Sequence, residues 1–201
     1  MLYTSGSTGI PKGWNDSNNN QRVNSCFIGV RIPHKVILNR LQWQFKAFPY
    51  GDSEKVCVFK TALTFVDSVS EIWGPLVNGL SVLVVPKRVT LDPEKLIQTL
   101  DGYGIQRLVL VPSLLRSILM CLELKKNTSL LKCLRLWVCS GETLTTSLAA
   151  DFFKYFPQED YRLCNFYGST EIMGDVTFYV ISNTQQLNNR LTAPIGWFIY
   201  T

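Results

Sequence analysis

The run YTSGSTGIPKG, residues 3–13, lies almost at the start of the chain, and the rest of the sequence is best interpreted around it. Its glycines let the backbone approach a ligand closely. Its hydroxyl groups and successive backbone N–H groups can donate hydrogen bonds to anionic oxygens. It is not the common P-loop, because no Gly-Lys-Ser/Thr follows the first glycine after a four-residue gap. We interpret it as a phosphate-binding loop; a solvated turn or linker is the alternative for this composition. The candidate residues are Thr4, Ser5, Gly6, Ser7, Thr8, Gly9 and Lys12.

Beyond this loop, apolar runs alternate with segments of helical period. Asp92 can cap a helix that begins at Pro93 and is ended by Gly104. Further helices are predicted over residues 35–48, 68–78, 114–124 and 144–156, and strands over residues 55–59, 81–85, 108–111 and 134–138. Strands that alternate with helices of this length predict an α/β fold with a mainly parallel sheet covered by helices on both faces.

Two further polar motifs follow predicted strands. Ser140-Gly141-Glu142 comes after one strand, and Asn165-Phe166-Tyr167-Gly168-Ser169-Thr170-Glu171 comes after another apolar stretch. Ligands of parallel α/β sheets bind at the carboxyl ends of the strands, so we expect these motifs to meet the loop of residues 3–13 in one crevice. For the second motif alone, a strand followed by a turn and a helix capped by Ser169 is the alternative.

Together these motifs resemble the signatures of the adenylate-forming (AMP-binding) superfamily, which includes acyl-CoA synthetases, luciferases and the adenylation domains of nonribosomal peptide synthetases. That family's loop reads Thr-Ser-Gly-Ser/Thr-Thr-Gly-x-Pro-Lys-Gly, and its later motif reads Asn-x-Tyr-Gly-x-Thr-Glu. The resemblance covers residues 3–196, with an interruption at residues 14–29. It implies ATP and Mg²⁺ as ligands and an acyl- or aminoacyl-adenylate as the product.

The resemblance also implies roles for individual residues. Tyr167 would stack on adenine, Thr170 would contact the α-phosphate, and Glu171 would hold Mg²⁺. The implied catalytic residues are Lys12, Thr170 and Glu171. The implied ATP and Mg²⁺ set is Thr4, Ser5, Gly6, Ser7, Thr8, Gly9, Lys12, Ser140, Gly141, Glu142, Asn165, Tyr167, Gly168, Thr170 and Glu171.

The same resemblance suggests how the chain is divided. We expect residues 1–196 to be the central part of an adenylation domain, residues 14–29 to be a disordered polar insertion, and residues 197–201 to be a divergent tail. A complete enzyme would pass the adenylate to a phosphopantetheine or coenzyme A thiol, with a carrier domain as a possible partner. We expect no catalysis by this chain alone. The alternative is a non-catalytic nucleotide-binding or interaction module derived from an acyl-CoA synthetase-like protein.

The segment Phe65-Val66-Asp67-Ser68 bears on the substrate. Amino-acid-activating members of the resembling family carry Phe-Asp-x-Ser there, and that aspartate pairs with the α-ammonium group. In this chain the acid lies one residue later, which suits an ammonium displaced by one methylene and suggests a β-amino acid such as β-alanine. Alternatively, Asp67 caps a helix that begins at Ser68, and Asp175 is a rival partner for the ammonium. The expected pocket residues are Val66, Asp67, Ser70, Trp137, Cys139, Phe166 and Asp175.

Composition excludes several other classes of protein. With 46% hydrophobic and 17% charged residues among 201, the chain is globular rather than disordered. The net charge of +5 suits an anionic ligand, but no basic block with interleaved aromatic residues supports nucleic-acid binding. Six cysteines without a Cys-x-x-Cys pair, beside one histidine, favour free thiols over a zinc site. Since no apolar run approaches the ~18 residues of a membrane span, we expect a cytoplasmic protein without a membrane partner.

Overall fold

The computed structural model describes residues 2–3, 29–125, 129–157, 159–182, 184–187 and 190–199. The helices are α1 (His34–Ala47), α2 (Asp67–Val77), α3 (Lys87–Thr90), α4 (Pro93–Gly102), α5 (Pro112–Lys125) and α6 (Thr146–Tyr155). The strands are β1 (Leu2–Tyr3), β2 (Gly29–Val30), β3 (Val56–Phe59), β4 (Ser81–Val84), β5 (Arg107–Leu110), β6 (Leu136–Cys139), β7 (Arg162–Ser169), β8 (Gly174–Ile181) and β9 (Trp197–Phe198). Two 3-10 turns cover Thr170–Ile172 and Thr184–Leu187.

The strands of the described residues form three sheets. The largest has the order β5-β6-β7-β8-β9, in which β5, β6 and β7 are parallel, while β8 and β9 are antiparallel to their neighbours. β3 and β4 form a parallel pair, and β1 and β2 form a short antiparallel pair. The α/β fold with a mainly parallel sheet is therefore confirmed, although the two antiparallel strands β8 and β9 were not predicted.

Helix α4 shows how closely local sequence rules are followed. The Asp92 carboxylate accepts a hydrogen bond from the backbone N–H of Lys95 at 3.2 Å, and Pro93 occupies the first helical position. The carboxylate satisfies a backbone N–H group that has no partner within the helix. Proline costs no hydrogen bond at the first position, because a backbone N–H there would have no partner within the helix. The apolar stripe of the helix, Leu96, Ile97 and Leu100, is fully buried.

The large sheet is covered on both faces, as predicted. On one face, α4, α5 and α6 pack against alternate residues of the strands, and Trp137 of β6 contacts Phe152 and Phe156 at ring-centroid distances of 5.4 and 5.0 Å. On the other face, Trp43 of α1 packs with an aromatic group from the loop after α1 and from β7 and β8. That group consists of Phe48, Phe166 and Phe178. Each large apolar side chain buried in this way contributes about 1.5–3 kcal/mol relative to exposure.

The end of β7 departs from the alternative of a helix capped by Ser169. The strand continues through Ser169, a 3-10 turn follows, and the Ser169 side chain makes no capping hydrogen bond. β7 and β8 pair as a hairpin whose register shifts between Tyr167 and Gly168. A Cβ atom on Gly168 would lie 1.6 Å from the carbonyl oxygen of Gly174, so the tight approach of these strands requires glycine. Within the described ranges, no helix has both the length and the hydropathy that crossing a membrane requires.

Candidate functional site

A cavity of about 350 Å³ opens at the carboxyl ends of β6 and β7. The turn after β6 forms one wall, β7 forms a second, and the segment before β9 forms a third. Its lining residues are Gly141, Glu142, Thr143, Leu144, Asn165, Phe166, Tyr167, Gly168, Thr192, Ala193 and Ile195. Five of the residues expected to bind the nucleotide are thus brought together: Gly141, Glu142, Asn165, Tyr167 and Gly168.

Two polar side chains fix the walls of this cavity. The Glu142 carboxylate accepts hydrogen bonds from the backbone N–H and the hydroxyl of Ser113, at 2.9 and 3.0 Å, which ties the turn after β6 to the start of α5. The Asn165 amide donates to the carbonyl of Pro194 at 2.9 Å. With these side chains engaged, the Tyr167 side chain, 54% exposed, offers a flat apolar surface at the cavity.

Thr170 and Glu171 lie beyond this lining, in the 3-10 turn at the end of β7. Glu171 is exposed, and a hydrogen bond from the Ser169 side chain holds the pKa of its carboxyl below the ordinary value. The carboxylate is therefore ionised at neutral pH. No cluster of three metal-binding side chains occurs in the described part of the chain. A single carboxylate that shares Mg²⁺ with phosphate oxygens and water is nevertheless a usual arrangement for this ion.

The predicted phosphate-binding loop lies outside the described residues. This applies to Thr4, Ser5, Gly6, Ser7, Thr8, Gly9 and Lys12, and to the expected insertion except Gly29. Their roles stay predictions. The structure does show that the strands on either side of this segment pair with each other, Leu2 opposite Val30 and Tyr3 opposite Gly29.

A second site lies between α1, the start of α2 and β8. One small cavity there is lined by Arg40, Leu41, Val66, Asp67, Val69, Ser70, Met173 and Asp175. A neighbouring cavity shares Arg40, Ser70 and Asp175 with it and extends to Val138 and Phe166. Five of the expected substrate residues, Val66, Asp67, Ser70, Phe166 and Asp175, therefore lie around these two adjoining cavities. Phe166 also lines the 350 Å³ cavity, so its ring forms a wall of both regions.

Trp137 and Cys139 do not belong to this pocket, and the expectation for them is corrected. Both are fully buried on the opposite face of the sheet, and the Trp137 indole N–H donates to the carbonyl of Leu134 at 2.8 Å. Side chains alternate across a strand, so the residues of β6 that face the pocket are Leu136 and Val138. The mapping from sequence was displaced by one residue, which moves a side chain to the other face.

Ser140 is also placed differently from expectation. Its side chain is buried, and its hydroxyl donates to Asp175 Oδ1 at 2.9 Å. The residue therefore contacts the acid of the second site, and it is absent from the lining of the 350 Å³ cavity where a nucleotide-binding role was expected.

Two of the three acids around the second site have strong internal partners. Asp175 Oδ2 accepts a 2.8 Å hydrogen bond from Arg40 Nη2, in an ion pair whose side chains are 10% and 6% exposed. Glu71 pairs with Lys60 Nζ at 3.1 Å and also accepts from both backbone N–H groups of Lys60 and Thr61 and from the Thr61 hydroxyl. Buried ions of opposite charge that are paired and hydrogen-bonded in this way compensate each other for the loss of water.

Asp67 differs from these two acids. Burial, followed by the nearby negative charges of Asp175 and Glu71, raises the pKa of its carboxyl from 3.8 to about 7. Among the described residues, none donates a hydrogen bond to this carboxylate or forms an ion pair with it; the Ser70 hydroxyl bonds to the backbone oxygen of Asp67 instead. Asp67 does not cap the helix, because α2 begins at Asp67 itself and has no side-chain cap.

Comparison with known proteins supports these observations. A family model described as "AMP-binding enzyme" matches residues 1–200. The chain belongs to the AMP-binding enzyme family. It is 54% identical over 199 residues to the beta-alanyl-bioamine nonribosomal peptide synthetase ebony of Drosophila melanogaster, covering 98% of this chain and 21% of that protein. It is 30% identical over 203 residues to the beta-alanyl-bioamine nonribosomal peptide synthetase of Schistosoma mansoni, covering 88% of this chain and 15% of that protein.

The fold comparison agrees with the family match. The crystal structure of the Vibrio cholerae adenylation domain AlmE, in complex with glycyl-adenosine-5'-phosphate, superposes with a TM-score of 0.70 at 21% identity. The match covers 85% of this chain and 30% of that one. The family model and the two relatives confirm the resemblance to adenylation domains of the nonribosomal peptide synthetase type, and this structure confirms the fold. The chain spans about a fifth of the length of the Drosophila relative.

Sequence reasoning missed Arg40 and Val138. Arg40 lies within a helix of mixed polarity, and nothing in HKVILNRLQWQFKA separates it from the exposed basic residues of the same helix. Its burial becomes apparent only when α1 packs against β8. Val138 could have been predicted from the sequence, since side chains alternate along a strand and only every second residue of β6 can face the pocket.

Proposed function

We propose that this chain provides the nucleotide-binding and amino-acid-binding surfaces of an adenylation domain for a β-amino acid, with β-alanine as the preferred substrate. The observation that carries the proposal is the carboxylate of Asp67, which lines a small cavity and has no hydrogen-bond or ion-pair partner among the described residues, while the neighbouring acids are paired. An ammonium group buried without a counter-ion is costly, and the Asp67 carboxylate is suited to be the counter-ion of a substrate ammonium in this cavity. The relatives named as beta-alanyl-bioamine synthetases support the choice of β-alanine.

In the proposed reaction the substrate carboxylate attacks the α-phosphorus of ATP. A bond forms between the carboxylate oxygen and phosphorus, and the bond between the α-phosphorus and the bridging oxygen breaks. Pyrophosphate leaves with the electron pair, and no proton transfer is required. Because both reactants are anions, rate acceleration depends on positioning and charge neutralisation.

Different residues of the chain position the reactants and neutralise their charge. Asp67 holds the ammonium group, and Phe166 separates the amino-acid side from the nucleotide side. The Tyr167 ring provides the stacking surface for adenine, and the Thr170 hydroxyl contacts the α-phosphate. Lys12 and the loop of residues 4–9 neutralise the phosphates. Glu171 would hold Mg²⁺, which would supply further neutralisation of the phosphate charge.

The step after adenylation is the transfer of the β-alanyl group to a thiol. A phosphopantetheine or coenzyme A thiol would take up the β-alanyl group from the adenylate, with a carrier domain as the partner. Because the chain spans about a fifth of the Drosophila relative, we assign this overall reaction to a complete enzyme that contains the segment.

The test uses residues 30–196 in place of the matching segment of a complete relative. ATP–pyrophosphate exchange is then measured with β-alanine, alanine, glycine and a short fatty acid. We expect exchange to be fastest with β-alanine and Asp67→Ala to lower it by about 100-fold or more, since one unpaired buried charge is worth ~3 kcal/mol or more. Asp52→Ala, which removes an exposed acid, is the matched control. A preference for alanine or the fatty acid would contradict the proposal, as would β-alanine activity unaffected by Asp67→Ala.

A second function, nucleotide binding without catalysis, is favoured by one observation. Described residues between positions 141 and 195 line the 350 Å³ cavity, and they include the exposed Tyr167 side chain. Calorimetric titration of the 201-residue chain with Mg·ATP tests it. Binding by the chain, together with no exchange by the graft, would support this second function over the first.

A further inference from the structure

Of the three carboxylates around the second site, two are paired with cations and one is not. Asp175 is neutralised by Arg40, and Glu71 by Lys60, while Asp67 has no cation in hydrogen-bond contact among the described residues. These five groups come from four parts of the chain: α1, the loop after β3, the first two turns of α2, which carry both Asp67 and Glu71, and β8. Among the described residues, the site therefore has one carboxylate more than it has cations paired with carboxylates.

We propose that Arg40 determines substrate specificity by holding Asp175, which leaves Asp67, among the described carboxylates of this site, to bind the substrate's ammonium group. This inference rests on the proposed function, because it concerns how the same pocket selects its amine. Arg40 itself acts through Asp175, so it is a positioning residue rather than a catalytic one. The rival assignment, in which Asp175 binds the ammonium, makes the opposite prediction for the same variants.

The guanidinium of Arg40 is held rigidly in this position. Its carbon lies 4.8 Å from the ring centroid of Trp43 and 5.7 Å from that of Phe166, and Nη1 donates to Gln44 at 3.1 Å. Stacking on aromatic rings and a fixed hydrogen-bond geometry suit arginine better than lysine. The aromatic cluster that anchors α1 therefore also fixes the cation that neutralises Asp175.

Asp175 is equally constrained. One of its oxygens accepts from Arg40 and the other accepts from Ser140, so both oxygens are engaged within the protein. A substrate ammonium that approached Asp175 would meet the Arg40 guanidinium at the same carboxylate. Coulomb repulsion between two cations in a partly buried site opposes that mode of binding.

This arrangement predicts which amines are rejected. A β-amino acid with one ammonium group finds one free carboxylate. A diamino acid such as 2,3-diaminopropionate would have to bury a second ammonium beside Arg40, and no free anion is present for it in the described residues. The pocket should therefore discriminate against diamino acids on charge, even where their size is acceptable.

Two measurements on the full 201-residue chain test the inference, with the variants Arg40→Met, Arg40→Lys, Asp175→Asn and Arg40→Met/Asp175→Asn. Arg116→Met, on the exposed face of α5, is the control. The first measurement needs no substrate: carbon-13 NMR follows the titration of the Asp67 carboxyl, assigned by its loss in Asp67→Asn. The groups that face Asp67 are Arg40, Lys60, Glu71 and Asp175.

We expect Arg40→Met to raise the Asp67 midpoint by about one pH unit or more, because a cation is lost and Asp175 is left unpaired. Asp175→Asn should lower the midpoint, and the double variant and Arg40→Lys should both return it close to that of the unaltered chain. If Arg40→Met does not fold, as judged by circular dichroism, Asp175→Asn and Arg40→Lys still decide the matter. An Asp67 midpoint that is the same in all folded variants would overturn the inference.

The second measurement is the affinity for β-alanine and for 2,3-diaminopropionate by NMR titration. Asp175→Asn leaves an unpaired cation beside the pocket and should weaken β-alanine binding about tenfold or more, whereas the double variant should restore most of it. If Asp175 were the ammonium ligand, the double variant would bind no better than Asp175→Asn, and the inference would be wrong. A chain that binds no β-alanine at all would count against the proposed function, while the NMR midpoints would still judge the role of Arg40.

Discussion

At the scale of single residues, Asp67 shows a conflict between stability and binding. A carboxyl with a pKa near 7 holds its proton more tightly in the folded chain than in the unfolded chain, where the value is 3.8. Its contribution to stability is therefore fully present below pH 4 and is lost as the pH rises through 7. A group that destabilises the empty protein at neutral pH is a frequent mark of a ligand site.

Replacing Asp67 by Asn should accordingly stabilise the chain at high pH. A shift of roughly three pKa units corresponds to ~4 kcal/mol, and partial exposure of the side chain reduces the expected gain to about 2 kcal/mol. Urea unfolding at pH 5, 6 and 8 should show an advantage of Asp67→Asn that grows with pH and levels off above 7. Asp52→Asn is the control. An advantage that is constant over this range would show that Asp67 titrates normally.

A sequence motif that fixes both residue identity and backbone position brings its residues together in the structure, while their nucleotide-binding roles stay predictions. The residues from Asn165 to Gly168 lie on one strand and reach the cavity together. The predictions from sequence failed where the partner of a side chain lies far away along the chain. Arg40 and Asp175 are separated by 135 positions, so their ion pair depends on the packing of α1 against β8 and has no local signal.

At the scale of elements, the alternation of side chains along β6 explains the largest error. A strand at about this position in a mainly parallel sheet was predicted, but its boundaries are Leu136–Cys139 rather than residues 134–138, and its parallel neighbours β5 and β7 were not specified. An error in boundaries is harmless for fold class. An error of one residue in the assignment of faces places Trp137 and Cys139 in the pocket and excludes Val138.

This reassignment can be tested with two truncating variants on the same strand. Trp137→Phe should lower the free energy of unfolding by about 1–3 kcal/mol, because it leaves a void among Phe152 and Phe156, without changing the affinity for β-alanine. Val138→Ala should cost a comparable amount and, in addition, admit 3-aminobutyrate by widening the pocket. Urea unfolding and NMR titration with both amino acids measure the two effects. Altered β-alanine binding in Trp137→Phe alone would restore the original assignment.

At the scale of the whole molecule, the 350 Å³ cavity and the second site adjoin each other, since Phe166 lines cavities of both. The α/β pattern predicts cavities at the carboxyl ends of strands, and the 350 Å³ cavity lies at the ends of β6 and β7. The pattern could not show that an aromatic cluster beneath the sheet supports both regions, because that cluster joins α1, β7 and β8 across most of the chain.

The position of Phe166 between the cavities leads to a prediction that separates its effect on stability from direct contact with the ligands. Phe166 and Phe178 belong to the same aromatic cluster, at a ring-centroid distance of 6.1 Å, but only Phe166 lines the cavities on both sides. Phe166→Leu and Phe178→Leu should each lower the free energy of unfolding by about 1–3 kcal/mol. Phe166→Leu alone should weaken the binding of both β-alanine and Mg·ATP, since it alters one surface of each region. Calorimetry with each ligand, at a temperature where both variants are folded, provides the measurement. Equal weakening by the two variants would mean that the cluster acts through stability and that Phe166 has no direct part in either site.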